Sequence, residues 1–183
     1  MALNSTNRIR KITMGAGTIK KKKKGMMKLQ TQESKSFTIV PVGYVQAENG
    51  KMSLSIFEPY VPALKELAGF SHAQVLWWIH EFDNAVYRQT TRIEPPYDAP
   101  VTGVFATRSP VRPNPIGLST VRIHKVDEKS GKIEISEIDA YPGTPILDIK
   151  AYFPGCDRVK NVKVAAWAKN WPEWLPEDEN KDA

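Results

Sequence analysis

The chain has 183 residues, 41% of them hydrophobic, and a formal charge of +6. That length suits one domain with its own core, and no apolar run approaches a membrane span or forms a secretion signal. The single cysteine, Cys156, excludes an internal disulfide framework, and with only three scattered histidines it offers no zinc set, so no metal is expected and the thiol suits a reducing cytoplasm.

The charge is unevenly spread. Residues 1–25 carry eight basic side chains (Arg8, Arg10, Lys11 and the run Lys20 to Lys24) and no acids, which leaves 18 basic and 20 acidic residues in the remainder. Residues 1–35 therefore read as a disordered basic leader. Its lysines suit a flexible nucleic-acid tether. The alternative, which the sequence favours, is an upstream extension with translation starting at Met26 or Met27. RNA binding by the rest would need a local patch, for which Arg108, Arg112, Arg122, Lys150, Arg158 and Lys160 are candidates.

From there, residues 37–46 predict a first strand, with Pro41 arguing for an edge or bulge. Glu48-Asn49-Gly50 is a turn into a returning strand over 52–56. Residues 59–70 predict a short helix with Val61, Leu64 and Leu67 on one face and Gly69 as its stop. The nearly continuous apolar run 74–82 predicts a buried strand, and 87–93 another. Glu94-Pro95-Pro96-Tyr97 resembles a motif by which Rossmann methyltransferases grip an amino group. The only G-x-G, Gly15-Ala16-Gly17, lies in the leader with no strand before it, which argues against a Rossmann enzyme, and 94–97 reads as a structural turn.

Residues 103–107 lead into the loop Phe105-Ala-Thr-Arg-Ser-Pro-Val-Arg-Pro-Asn-Pro-Ile-Gly-Leu-Ser119. Pro110, Pro113 and Pro115 fix φ and withhold donors, so this segment is neither helix nor central strand. A rigid cationic loop suits an anionic or planar ligand, the bland alternative being a braced surface loop with solvated arginines. Residues 118–127 alternate as a strand, Glu128 to Gly131 turn, and 132–138 alternate again with Ile133, Ile135 and Ile138. The tail, 161–183, predicts a short helix (Val162, Ala165, Ala166), then Trp171, Trp174 and an acidic, disordered end. Its tryptophans, Trp167 included, should pack the tail on the domain, the alternatives being that they supply part of a ligand-site wall or cover a dimer contact. Short strands at regular spacing indicate a mainly β domain over 36–160, a small antiparallel or mixed barrel with one or two short helices.

Three blocks carry a resemblance: the loop 105–119; Ile138-Asp-Ala-Tyr-Pro-Gly-Thr-Pro-Ile-Leu-Asp-Ile-Lys-Ala-Tyr152; and Phe70-Ser-His-Ala-Gln-Val-Leu-Trp-Trp-Ile-His-Glu81. In this order they resemble the TsaA-like family, which includes the TrmO tRNA methyltransferases. The resemblance implies a homodimeric β-barrel that binds S-adenosylmethionine and methylates N6-threonylcarbamoyladenosine beside the tRNA anticodon.

It also implies cofactor contacts at His80, Glu81, Arg108, Leu118, Ser136, Glu137, Ile138 and Asp139. The chemistry agrees: Arg108 can clamp a carboxylate, Asp139 or Glu81 can meet a ribose diol or ammonium, and Leu118 can supply an apolar wall. Taken singly, His80 could instead cap a strand end, and Asp139, before Pro142-Gly143, would more often start a turn. Arg112 and Asn114 are the candidate substrate anchors. A carbamoylated adenine nitrogen is barely nucleophilic, which makes Asp148 a candidate base, Lys150 a candidate for charge stabilisation and Tyr152 their companion. The alternative for Asp148 and Lys150 is a surface ion pair.

The chain departs from the family pattern at Ala151, where proline is usual, in the short turn 45–51, and in lacking the C-terminal domain of long members. Those departures leave open another RNA or a small molecule as acceptor, or a non-catalytic RNA-binding or cofactor-sensing module.

Overall fold

The computed structural model describes residues 36–176; the basic leader 1–35 and the acidic end 177–183 lie outside the described residues. Six antiparallel strands close a barrel. β1 (Gly43–Glu48) and β2 (Lys51–Ile56) form a hairpin whose two turn residues, Asn49 and Gly50, both have positive φ (51° and 76°). That is the twist-compatible two-residue turn the Asn-Gly pair favours. Residues 37–41 do not join the sheet as expected; Val42 hydrogen-bonds to Ile146 and Phe57, and the first strand begins at Gly43.

The helix expected over 59–70 is instead two 3-10 segments, Glu58–Leu64 and Leu67–Gly69. Pro62 removes a backbone donor inside the first, and Glu66 at φ 67° breaks the path between them. Leu64 and Leu67 still enter the core.

β3 (His72–Trp78) is shorter than the predicted run and alternates strictly, burying Ala73, Val75 and Trp77. A barrel wall has an inside and an outside, so an unbroken apolar string does not mean burial on both faces. After Trp78 the chain leaves the sheet and makes a 3-10 turn, His80–Phe82. The strand expected over 87–93 is a 3-10 turn, Tyr87–Gln89, followed by the two-residue β4 (Arg92–Ile93), paired only with β5 (Thr102–Gly103). Asn84 explains the turn: its side-chain oxygen accepts from the backbone of Val86 and Tyr87.

β6 (Ile116–Asp127) is long enough to serve two neighbours, pairing with β3 through its first half and with β7 (Lys132–Ile135) through its second. β7 ends where Ser136 folds back on Arg122, accepting its N–H at 2.9 Å and donating to its carbonyl at 3.0 Å. β8 (Pro145–Ala151) closes the barrel between β3 and β1 and was not anticipated as a strand. One α-helical turn, α1 (Pro154–Asp157), follows, and the described part of the tail holds a 3-10 turn, Ala166–Ala168, in place of the expected helix.

Val45, Leu54, Val75, Val121, Ile133 and Ile146 are fully buried and fill the interior, one or more from each of the six strands. Side chains of this kind contribute about 1.5–3 kcal/mol each on burial. No helix among the described residues is long and apolar enough to cross a membrane.

Candidate functional site

One large cleft, about 1330 Å³, opens beside the exit of β3, the entrance of β6 and the segment after β7. The register Trp78↔Ile116 brings residues 79–82 against the proline loop, and Ile79 N–H donates to the Pro115 carbonyl at 2.7 Å. His80, Glu81, Arg108, Arg112, Asn114, Leu118, Glu137, Ile138 and Asp139 all line this cleft. Three separate stretches of chain thus deliver nine of the expected side chains to one place.

The loop is stiffened by its own hydroxyls. Thr107 Oγ1 donates to the Val104 carbonyl at 2.8 Å and accepts from Ser109 N–H, and Ser109 Oγ accepts from Val111 N–H. Arg108 reaches back across the loop, its Nη1 donating to the Leu118 carbonyl at 2.9 Å. The rest of the exposed guanidinium fork remains to meet an anion. Arg112 makes only long contacts, 3.5 and 3.4 Å, to the carbonyls of Thr107 and Ser109.

A second brace was missed in the sequence. Asp83 accepts from Arg88 Nε at 2.5 Å and Nη2 at 3.1 Å, and from Trp78 Nε1 at 3.1 Å. Arg88 also lies 5.4 Å from the Trp78 ring centroid and reaches the Pro113 carbonyl at 3.5 Å. These contacts tie the His80–Glu81 turn to the proline loop. The Arg88 hydrogen bond holds the Asp83 carboxyl below its ordinary range against the opposing effect of burial, aided by the Arg88 charge and by Trp78. The same bond raises Arg88. A polar pair five residues apart around Asn84 was the only available signal.

Other expected residues lie elsewhere. Ser136 does not line the cleft; its hydroxyl is engaged with the Arg122 backbone. Asp148 borders a different cavity, about 420 Å³, with Leu67, Phe70 and Ile149. Its carboxylate pairs with Lys150 at 2.6 Å and accepts from Ile149 N–H, and its hydrogen bond raises Lys150. Tyr152 packs edge-on against His72 at 6.3 Å. Of the basic candidates, only Arg108 and Arg112 line the cleft.

The tail reaches the cleft, the place that one reading of its tryptophans gave it. Trp171, Pro172 and Leu175 line the cleft, and Trp167 and Trp171 pack on Tyr97, the residue that closes the 94–97 turn. Among the described residues, no group of three or more His, Cys, Asp or Glu could hold a metal ion.

The donor set suits S-adenosylmethionine. A guanidinium, three carboxylates (Glu81, Glu137, Asp139) and an apolar wall of Leu118 and Ile138 match its carboxylate, its ammonium and diol, and its hydrophobic edges.

Residues 30–158 match the profile of the tRNA-methyltransferase O N-terminal domain. The chain is 42% identical over 118 residues to a protein of Methanocaldococcus jannaschii named "Probable S-adenosyl-L-methionine-binding protein", covering 63% of this chain and 92% of that one. It is 39% identical over 114 residues to the tRNA (adenine(37)-N6)-methyltransferase of Rattus norvegicus, covering 62% of this chain but 26% of that one. Among solved structures it resembles TrmO from Pseudomonas aeruginosa, with a TM-score of 0.56 and 30% identity over 72% of this chain and 63% of that one.

Proposed function

The chain belongs to the tRNA-methyltransferase O N-terminal domain family, and from that premise we propose that it is an S-adenosylmethionine-dependent methyltransferase acting on N6 of an adenosine beside the tRNA anticodon. The acceptor is the threonylcarbamoylated base. One observation carries the reading: His80, Glu81, Arg108, Leu118, Glu137, Ile138 and Asp139, drawn from distant parts of the chain, share a single cleft with Arg112 and Asn114.

When bound, the donor supplies a methyl group on a sulfonium whose charge is lost as the methyl leaves. The protein's share is alignment and exclusion of water. Arg108, fixed by the Leu118 carbonyl, takes the donor's carboxylate. Glu81 or Asp139 takes the ammonium or the diol, and Leu118 and Ile138 form the dry wall. Arg112 and Asn114 hold the acceptor.

The acceptor nitrogen is amide-like and needs a proton removed or polarised. Asp148, Lys150 and Tyr152 remain the groups for that role, and they lie outside the cleft of their own subunit. They reach it in a homodimer in which β8 of one protomer borders its partner's cleft. Half-exposed Phe153, beside Tyr152, gives that face an apolar contact. The cytoplasm, where tRNA is modified, is the setting.

The test is calorimetry with S-adenosylmethionine, then incubation of the protein with labelled donor and tRNA bearing or lacking the threonylcarbamoyl group. Donor binding with label entering only the modified tRNA is expected. Donor binding without transfer to either tRNA would move the assignment to another acceptor or a sensing role, and absence of donor binding would overturn it.

A further inference from the structure

The cleft is larger than the roughly 300–1,000 Å³ that small-molecule pockets occupy, at about 1330 Å³. Part of its lining, the tail segment with Trp171 and Leu175, lies outside the set of residues proposed to grip the donor. Trp171 faces this space while still 52% exposed. Its ring is not loose: Tyr97 meets it at 5.1 Å and 76°, Trp167 at 5.5 Å and 74°, and those two stack on each other at 5.8 Å and 30°. An aromatic ring fixed by two others and left half open has already given up its rotational freedom, so a planar ligand can stack on it at little further cost.

The surroundings select the ligand. Phe105, 80% exposed, adds a second ring to the lining, and Arg108 and Arg112 bring two guanidinium groups to the same cleft. Aromatic faces beside cations that can meet phosphates are the combination by which proteins hold single-stranded nucleic acid.

We propose that Trp171, braced by Tyr97 and Trp167, is a stacking platform for a nucleobase flanking the reacting adenosine in the anticodon loop. This rests on the tRNA methyltransferase reading and adds to it the element by which the tail takes part in substrate recognition. Because every base has a π-face, the platform grips the loop without reading its sequence.

The experiment compares wild type with Trp171→Ala and Trp171→Phe. It measures KM for threonylcarbamoylated tRNA, donor affinity by calorimetry, sedimentation velocity, and quenching of tryptophan fluorescence by an anticodon-loop oligoribonucleotide. Trp171→Ala should raise the KM for tRNA about tenfold and diminish the quenching. Donor affinity and sedimentation should not change, and Trp171→Phe should recover most of the KM.

An unchanged KM with active enzyme would overturn the platform and leave the methyltransferase reading standing. Loss of the dimer in Trp171→Ala would overturn it in favour of a second copy of the chain as occupant. A parallel loss of donor affinity would overturn it in favour of simple wall packing. If wild type transfers no methyl to tRNA yet shows Trp171-dependent quenching by the oligoribonucleotide, the platform stands and the reaction assignment fails.

Discussion

The indole of Trp77 lies across Gly117 so closely that a methyl group on the Gly117 Cα would fall 2.2 Å from the ring. The two are register partners on β3 and β6, and the indole N–H donates to Ser119 Oγ at 3.1 Å. Glycine here is a matter of space rather than backbone conformation. The contact lets a large buried ring join the core while bordering the cleft that Leu118 also lines.

Gly117→Ala should therefore destabilise the protein by about 1–3 kcal/mol, the usual cost of overpacking a filled interior. Because the next residue's carbonyl anchors Arg108, donor affinity should fall with it. Urea denaturation and calorimetry with S-adenosylmethionine check both; an unchanged midpoint would show that the indole moves aside freely.

Arg108→Ala should weaken S-adenosylmethionine binding by about tenfold or more, the scale of a lost charge-assisted hydrogen bond. Arg108→Lys keeps the charge but cannot hold the Leu118 carbonyl and a carboxylate together through one planar fork. Its affinity should fall between wild type and alanine. Calorimetry decides, and wild-type affinity in Arg108→Ala would remove Arg108 from the donor's contacts.

Much of this architecture was legible because its signals are local. Asn49-Gly50 fixed a hairpin, the alternation at Ile133 and Ile135 marked β7, and the prolines marked a loop. β8 escaped because it opens on Pro145 and its inward pattern shows only one fully buried side chain, Ile146. The segment 87–93 misled because Asn84 and Asp83 capture the backbone and Arg88 through contacts that composition does not reveal. Nine of the residues that line the cleft were named through the family resemblance, while Ser136 was named and lies outside it. Which of those residues share a cleft depends on barrel closure, and that is why Asp148 and Lys150, close to the motif in sequence, come to lie on another surface.

Asp83 should give the protein a pH dependence of stability. Its folded carboxyl titrates below the ordinary 3.8 because Arg88 and Trp78 favour the charged form. A depressed carboxylate binds fewer protons folded than unfolded, so its contribution is complete above the unfolded value and is lost as pH falls through the folded one. Urea midpoints measured down to about pH 3 should drop more steeply for wild type than for Asp83→Asn. Parallel curves would show that the pair does not respond to acid.

Asp148 and Lys150 provide the sharpest test of the dimeric site. As an exposed pair they add little to stability, so Asp148→Asn and Lys150→Ala should leave the urea midpoint nearly unchanged. Both should nonetheless reduce methyl transfer if each protomer lends them to its partner's cleft. Arg108→Ala and Asp148→Asn would then damage opposite halves of the same composite site. Mixed in equal amounts, allowed to exchange subunits and assayed with the donor limiting, the two impaired variants should rise toward about a quarter of wild-type activity, since half the dimers are mixed and each holds one intact site. If the pair acted within its own subunit, Arg108→Ala and Asp148→Asn would each ruin the sites of the chains that carry them, and mixing would restore nothing. Full turnover in both Asp148→Asn and Lys150→Ala would leave them a surface ion pair.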